Sequence, residues 1–349
     1  MRIALIGNDY QQQFPLISYG GIEASVEQLA WGLHKARADF FCIVPAREKN
    51  HKGELPRNYP FEIVETPFAP SSRFGRPPVQ FAQCAHEILN GQKADIIWSQ
   101  SHWSVPPLLD LGTPIICTFS DSCPKQQGWM INHPNVFYRF ISKFQYRLWV
   151  REEWEHSRSF QIYYGLADDE YDFGEEREGY FLWVAGFGWG WQAKGLDVFI
   201  ELAKQNQDKR FVAYGTGSQA IEEALKQVAV LLPNFEFKGE LRRGPVHREA
   251  FKKARALIMP TRTPETFAMT VLESLSKGTP VIGFANGCMP EAVRNHGVIS
   301  NDIPLLHSAL TREFDHRACF EYSKRFAVEN EVKRMLEESG RIFHPAAAD

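Results

Sequence analysis

Several absences in this sequence narrow what the protein can do. Lysine and arginine together (39) do not exceed aspartate and glutamate (42), and the formal net charge is −3. Nucleic acid is therefore not expected as the main partner, because a phosphate backbone requires an excess of cationic side chains. The six cysteines are scattered and form no C-x-x-C pair, so a zinc site is not expected either.

Long apolar runs are also missing. No segment approaches about 20 uninterrupted apolar residues, which excludes a membrane-spanning helix from the prediction. The start, MRIALIGNDY, holds too short an apolar stretch for a signal peptide and is typical of a first buried strand. These features predict a reduced, cytoplasmic protein. The chain has 349 residues, of which 44% are hydrophobic, so two domains are favoured over one.

Two motifs are absent as well: the glycine-rich motif of dinucleotide-binding enzymes and a D-x-D-type pair of metal-binding carboxylates. A nicotinamide-dependent oxidoreductase would carry G-x-G-x-x-G after the first strand, where this chain has ALIGNDY, and Gly215-Thr216-Gly217 lacks the third glycine. No D-x-D-type carboxylate cluster stands out, so the sequence predicts no metal and no bound cofactor.

Strands and helices alternate along the chain, which favours an α/β fold with parallel sheets and helices on both faces. The predicted strands are Arg2–Gly7, Phe40–Val44, Phe61–Pro67, Asp95–Ser99, Pro114–Phe119, Val136–Ile141, Gln161–Tyr164, Tyr180–Ala185, Arg210–Tyr214, Asn234–Lys238 and Ala256–Met259. The predicted helices are one opened by Gly20 and Gly21, then Phe81–Leu89, Lys143–Glu155, Leu196–Asn206, Ser218–Leu231, Val246–Ala254 and a last one near Ala318–Glu338. An acidic, aperiodic run over residues 167–179 divides the pattern and predicts an interdomain linker.

The most informative segment follows the strand Ala256–Met259. A polar loop carries Glu265, a helix carries Glu273 with seven residues between the two, and a Gly-Cys-Met-Pro-Glu turn comes after the next strand. Backbone N–H groups at a helix start suit a phosphate. Eight residues of helix would separate the two carboxylates by roughly 12 Å, so diol-binding acids on either side of phosphate donors suggest a sugar nucleotide as ligand.

This segment resembles the E-x7-E motif of retaining glycosyltransferases with two Rossmann-like domains (GT-B architecture), especially glycosyltransferase family 4. In that family the motif is followed by a Gly-x-Pro-Val-Ile strand and a Gly-x-Pro-Glu turn, which read here as Gly278–Ile282 and as the five residues Gly287-Cys288-Met289-Pro290-Glu291. The resemblance implies two facing domains with a deep cleft. Residues 1–166 would bind the acceptor and residues 180–317 a nucleotide diphosphate sugar. A C-terminal helix, about 318–349, would pack back on the first domain.

The resemblance also implies roles for single residues. Glu273 would hold ribose hydroxyls and Glu265 sugar hydroxyls, and His102, just past a predicted strand, would lie beside the transferred sugar. The donor phosphates would meet Lys194, the glycines at 20 and 21, and backbone N–H groups of a short stretch, namely Phe267, Ala268 and Met269. The reaction would be a metal-independent, same-face transfer in which the donor phosphate helps to deprotonate the acceptor hydroxyl.

Three departures from the family pattern affect these expectations. The family usually has Gly-Arg where this chain has Gly186-Phe187, so either Arg262 supplies the missing cation or the donor makes different phosphate contacts. Ser120 and Tyr164 stand where His and Asn are common. A catalytically silent sugar-nucleotide-binding protein is therefore the alternative to an active enzyme.

Aromatic residues raise two further alternatives. Trp189 and Trp191, in the loop after Phe187, would either stack on a base or sugar or pack at a domain interface. The basic and aromatic run from Arg139 to Arg158 is either a solvated amphipathic helix or a contact with lipid headgroups or an anionic acceptor. The base, the sugar, the acceptor and the oligomeric state stay open.

Overall fold

The computed structural model describes residues 1–8, 14, 20–47, 58–67, 79–120, 132–187 and 190–344. The chain divides into two compact units. The first comprises Met1–Ala167 together with Phe326–Asp349, and the second comprises Asp168–Arg325. Each unit is built on its own parallel sheet, so the fold is two Rossmann-like domains, as the alternation of strands and helices predicts.

The first unit has a seven-stranded sheet in the order β3-β2-β1-β4-β5-β6-β7, and every pairing is parallel. The strands are nearly continuous apolar runs because helices cover both faces of the sheet. They are β1 Arg2–Ile6, β2 Asp39–Val44, β3 Glu62–Glu65, β4 Ile96–Ser99, β5 Ile115–Phe119, β6 Val136–Phe140 and β7 Ser159–Gln161. Numbered along the whole chain, the helices of this unit are α1 Gly21–Lys35, α2 Val79–Gly91, α3 Lys143–Trp149, α4 Glu153–Ser157 and α12 Val328–Phe343.

The second unit has a six-stranded sheet in the order β10-β9-β8-β11-β12-β13, again with parallel pairings. Its strands are β8 Phe181–Gly186, β9 Phe211–Thr216, β10 Phe235–Phe237, β11 Ala256–Met259, β12 Val281–Gly283 and β13 Gly297–Ile299. Its helices are α5 Leu196–Gln205, α6 Gln219–Leu231, α7 Pro245–Lys252, α8 Met269–Leu275, α9 Met289–Val293, α10 Ile303–Ala309 and α11 His316–Ser323.

The predicted last helix near 318–338 is wrong as a single helix. The chain leaves α11 through a 3-10 turn, Lys324–Phe326, and Ala327 takes an extended conformation before α12 begins. The break exists because Ala327 forms a bridge with Leu166, whose N–H and carbonyl both bond to this segment. Helix α12 then packs on α1 within the first unit.

The predicted helix over 143–155 is also two helices. Val150 ends α3 in an extended conformation, and Glu152 is the N-cap of α4, where its backbone N–H donates to the Glu155 carboxylate in a capping box. Arg139, at the start of the basic and aromatic run, does not belong to a solvated helix, because it lies in β6 with no exposed surface.

The acidic run after residue 167 is fastened to the second unit. Asp172 forms an ion pair with Lys252 at 3.0 Å, and Glu178 pairs with Lys253 at 3.0 Å. Arg177 donates to five acceptors, four of them backbone carbonyls. These contacts fasten the run, which we call the acidic clasp (residues 168–178), to the end of α7 and to the turn after α8. None of the helices that the structure describes has both the length and the apolar character to cross a membrane.

Candidate functional site

Each sheet has one position where the strand order changes direction, and ligands of open α/β sheets bind at the carboxyl ends of the strands there. In the second unit this position lies between β8 and β11. The loop after β8 carries Lys194, and the loop after β11 carries Glu265. The topology therefore brings together two of the residues that the sequence singles out.

Lys194 and Glu265 contact each other directly. The Lys194 ammonium Nζ lies 2.7 Å from Glu265 Oε1, and their side chains are 20% and 14% exposed. Thr261 Oγ1 lies 3.1 Å from the same carboxylate oxygen. The pair is partly shielded from water and still reachable by a ligand, which would meet a cation and a carboxylate side by side.

Two glycines hold the loops of this pair. Gly195 has a φ of +72°, and a Cβ there would lie 2.0 Å from the carbonyl oxygen of Pro260, so the chain after Lys194 sits tightly on the end of β11. Gly287 has a φ of +62°, and a Cβ there would lie 2.2 Å from the Glu265 carbonyl oxygen. Both positions need glycine for its backbone conformation and for close approach.

Glu273 lies on α8 in a buried charged pocket. Its Oε1 accepts a short hydrogen bond from Arg243, and its Oε2 lies 3.5 Å from His247 Nε2. Burial acts to raise the pKa of Glu273, but the charges and hydrogen bonds of Arg243 and His247 outweigh burial and lower it well below its ordinary value. Glu273 is therefore a fixed carboxylate, and its remaining acceptor capacity suits hydroxyl groups.

Arg243 extends this pocket to the acidic clasp. Its Nη1 lies 3.8 Å from Glu170 Oε1, and Lys277 Nζ lies 3.7 Å from Glu170 Oε2. The Lys277 ammonium also donates to the Glu170 carbonyl. Burial lowers the pKa of Lys277, and the nearby carboxylate of Glu170 opposes that effect. The predicted ribose carboxylate is thus one member of a network of alternating charges.

The stretch Phe267–Met269 lies at the start of α8, which begins at Met269 with Ala268 as its N-cap residue. Only Glu273 lies in this helix, so the estimate of roughly 12 Å from eight helical residues does not hold. Glu265 instead forms an isolated bridge with Gly287.

Directly after β8 the chain carries Phe187 where the family usually has an arginine, and the structure shows what Phe187 and the candidate substitute Arg262 contact. Phe187 has no exposed surface and packs among Trp183, Phe237 and the glycines of the 215–217 turn. An arginine at this position would bury a charge. Arg262 forms two 2.7 Å contacts with the carboxylate of Asp197 and another with the Gln192 carbonyl. The structure thus shows Arg262 engaged by a carboxylate.

Of the two tryptophans in this loop, the structure describes only Trp191. Trp191 is half-buried and packs against the core of the second unit. Trp189 lies outside the described residues.

The remaining predicted residues belong to the first unit. Gly20 is the N-cap of α1 and Gly21 its first residue, and a Cβ at Gly20 would lie 2.3 Å from Glu23 Oε2. The predicted phosphate loop therefore holds a buried carboxylate, which also accepts from Asn8 at 3.2 Å. His102 follows β4, next to the change in strand order between β1 and β4, and its ring lies 4.7 Å from that of Trp103.

Two residues that depart from the family pattern also lie in this unit. Ser120 directly follows β5 and is half-buried. Tyr164 is buried, and the Arg139 guanidinium lies 5.1 Å from the centre of its ring. Neither position supplies the imidazole or amide group that the family pattern has there.

Sequence reasoning missed Arg243, His247, Glu170 and Lys277. Arg243 comes just before Gly244 and Pro245, where α7 begins, so a cation before a helix start was the only local signal. Glu170 was hidden in a run that has the composition of a linker. Within the described ranges, no group of three or more His, Cys, Asp or Glu side chains is arranged to hold a metal ion.

Comparison with known proteins places both units in one class. Residues 19–162 match the family described as Glycosyltransferase Family 4, and residues 178–313 match the family described as Glycosyl transferases group 1. Together the two matches cover most of the chain. No curated protein matches the sequence.

Solved structures of the same architecture match over nearly the whole chain. Sucrose-phosphate synthase from Thermosynechococcus elongatus aligns with a TM-score of 0.77 at 15% identity, covering 99% of this chain and 100% of that one. AviGT4, a glycosyltransferase involved in avilamycin A biosynthesis, aligns with a TM-score of 0.72 at 17% identity, covering 99% and 98%. Anabaena HepE in complex with UDP and glucose aligns with a TM-score of 0.71 at 13% identity, covering 97% and 99%.

The two parallel sheets and their switch-point loops define a protein of the GT-B architecture. Within that architecture, the two family matches identify the chain as a family 4-like glycosyltransferase. The resemblance carried by Glu265 and Glu273 is thereby confirmed at the level of the family.

Proposed function

We propose that this protein is a retaining, metal-independent glycosyltransferase that moves a sugar from a nucleoside diphosphate sugar to an acceptor hydroxyl. The observation that carries the proposal is the pair of carboxylates in the second unit. Glu265 lies against the Lys194 ammonium, and Glu273 lies in a pocket made by the Arg243 guanidinium and the His247 imidazole. One carboxylate suits sugar hydroxyls, the other suits ribose hydroxyls, and the cations suit the diphosphate between them.

In the proposed reaction, the bond between the sugar anomeric carbon and the diphosphate oxygen breaks. A bond forms from the acceptor oxygen to the same face of that carbon. The acceptor proton passes to a phosphate oxygen of the leaving nucleoside diphosphate, so no protein nucleophile is needed. Lys194 and the backbone N–H groups at the start of α8 would stabilise the negative charge that develops on the diphosphate.

The roles of three first-unit residues rest on the resemblance. They are the contact of His102 with the transferred sugar and the contacts of Gly20 and Gly21 with phosphate. The proposed phosphate contact of Arg262 requires that donor binding draws its guanidinium away from Asp197. One protein of this architecture has been solved in complex with UDP and glucose, and another in complex with UDP and GlcNAc. UDP sugars are therefore the first donors to test.

A thermal shift screen of nucleoside diphosphate sugars would identify the donor, because a ligand that binds the native state raises Tm. Release of nucleoside diphosphate from that donor, followed over time, would then separate an enzyme from a silent binding protein. We expect slow hydrolysis with water as acceptor and a product that keeps the anomeric configuration of the donor. A Tm shift without release, for every sugar that binds, would favour the silent alternative.

A further inference from the structure

A row of buried polar side chains crosses the sheet of the first unit. Cys117 pairs with Ser99 and Thr118 pairs with Arg139, so Gln100, one step beyond Ser99, stands opposite Thr118. The hydrogen bond from Gln100 N to Ile6 O, 2.9 Å long, extends the ladder to this residue. Alternation along the strands places all three side chains on one sheet face, at the carboxyl ends of three neighbouring strands.

These side chains hold polar atoms that the protein does not satisfy. Gln100, Thr118 and Arg139 are 1%, 1% and 0% exposed. Gln100 Nε2 and Oε1, Thr118 Oγ1 and Arg139 Nη1 have no hydrogen-bond partner in the described part of the chain. A buried polar group without a partner costs roughly 1–3 kcal/mol. Four such atoms in one row are therefore an expensive arrangement that needs a function or a partner.

The row lies where a ligand of this kind of sheet would bind. The strand order of the first unit reverses between β1 and β4, and Gln100 is the first residue after β4. His102, the predicted neighbour of the transferred sugar, comes two residues later. The switch point of a doubly wound sheet is its usual ligand site, so position and unsatisfied chemistry agree.

The charge of the row selects the class of ligand. Arg139 Nη2 lies 2.5 Å from Glu331 Oε1, and both side chains are buried, so the guanidinium is already neutralised. Gln100 offers two donors and an acceptor, and Thr118 offers one donor and acceptor capacity. Such a set matches hydroxyl groups, which donate and accept at once, better than it matches an anion.

We infer that Gln100 and Thr118 form a subsite for a neutral, hydroxyl-bearing acceptor such as a sugar. This inference rests on the proposed glycosyltransferase function and gives its acceptor a chemical class. Gln100 would be the residue that determines specificity, because its amide can bridge two hydroxyls. Thr118 would add a third hydrogen bond beside it.

The test uses three variants of the full chain. Gln100→Met and Thr118→Val remove the polar atoms while keeping the approximate shape of the side chain. Thr66→Val is the matched control, because Thr66 is also 1% exposed with an unpartnered Oγ1 in the described structure, but follows β3, away from the switch point. Calorimetry or ligand-observed NMR would follow the binding of glucose, galactose and N-acetylglucosamine, with inorganic phosphate as the anionic probe.

We expect one or more of the sugars to bind the wild type, and Gln100→Met and Thr118→Val each to weaken that binding on the order of tenfold, the factor that about 1.4 kcal/mol gives. Thr66→Val should bind like the wild type. Tm should stay level or rise in both subsite variants, because an apolar group replaces an unsatisfied one. A subsite without function would show the same Tm and no change in sugar binding.

Three results would overturn the inference. They are equal sugar binding in all four proteins, binding of phosphate in preference to sugars, and no sugar binding to the wild type. A lower Tm for Gln100→Met with unchanged sugar binding would assign the amide to buried water instead. Donor binding measured on the same samples tells these failures apart from a failure of the proposed function, since Glu265 and Glu273 lie in the other unit.

Discussion

Lys194 Nζ and Glu265 Oε1 are 2.7 Å apart, so two residues predicted to meet different parts of one ligand neutralise each other. A donor that binds here must share or replace this contact. The diphosphate would compete with Glu265 for the ammonium, and the sugar hydroxyls would compete with the ammonium for the carboxylate. In the proposed reaction, Lys194 would face the diphosphate side of the bond that breaks and Glu265 would face the sugar side.

Lys194→Ala is expected to lower kcat/KM. The lost transition-state stabilisation should be on the order of 2–4 kcal/mol, as is typical for loss of one preorganised donor. The variant also leaves the Glu265 carboxylate without its cation. Arg262→Ala is the control, and we expect a smaller loss because Asp197 already engages that guanidinium at 2.7 Å. Steady-state kinetics would compare both variants with the wild type. Near-normal kcat/KM in Lys194→Ala, with a large loss in Arg262→Ala, would transfer the phosphate contact to Arg262.

Glu331→Gln should destabilise the first unit strongly. Glu331 on α12 accepts from buried Arg139 and from the Gly165 N–H at 2.7 Å, so its loss would leave a buried guanidinium uncompensated. Breaking a buried pair in this way costs about 3–5 kcal/mol. Glu329→Gln, on the same helix, removes a partly exposed pair with Lys35 and should cost at most about 1 kcal/mol. Equal changes in chemical denaturation midpoint would show that Arg139–Glu331 does not anchor α12.

Glu273 should make the second unit sensitive to acid. Because the folded protein lowers its pKa, the stability that Glu273 contributes is complete above its ordinary value of 4.5 and is lost as the pH falls toward the folded pKa. In thermal unfolding scans, Glu273→Gln should be less stable than the wild type near neutral pH, and the difference should shrink on acidification below 4.5. Glu223→Gln, an exposed change on α6, should parallel the wild type. A Glu273→Gln difference that stays constant over this range would contradict the linkage.

Transfer should survive chelation. The proposed site supplies Lys194, Arg243 and backbone N–H groups for the diphosphate, which can take the role of a divalent cation. Activity measured after EDTA treatment should equal activity before it, and added magnesium or manganese should not raise it. Loss of transfer on chelation and its recovery with either metal would show that the metal-independent assignment is wrong.

The sequence predicted most of what depends on residue type and local order. Alternating apolar strands and helices were enough for two parallel sheets, and the Glu265 and Glu273 spacing was enough for the family. Contacts between segments far apart in the chain could not be predicted from local sequence patterns. Arg243 reaches Glu273 from a loop 30 residues earlier in the chain, and no periodicity reports such a pairing.

Where local patterns misled, a tertiary contact overrode them. The helix predicted over 318–338 breaks at Ala327 because the chain there bridges to Leu166. The acidic run looks like a linker by composition, but Glu170 and its neighbours find cationic partners on the second unit. Phe187 looked like a missing phosphate ligand, yet it is a core residue packed against Trp183.

We expect the second unit to bind a nucleoside diphosphate, with Glu273 contacting its ribose. Calorimetry with the nucleoside diphosphate identified by the thermal shift screen, starting with UDP, tests it on wild type, Glu273→Ala and Glu265→Gln. We predict that Glu273→Ala weakens binding by about 1–3 kcal/mol, the cost of hydrogen bonds lost to a buried diol. Glu265→Gln should keep wild-type affinity and lose turnover. Equal affinity in wild type and Glu273→Ala would show that Glu273 does not contact the ribose.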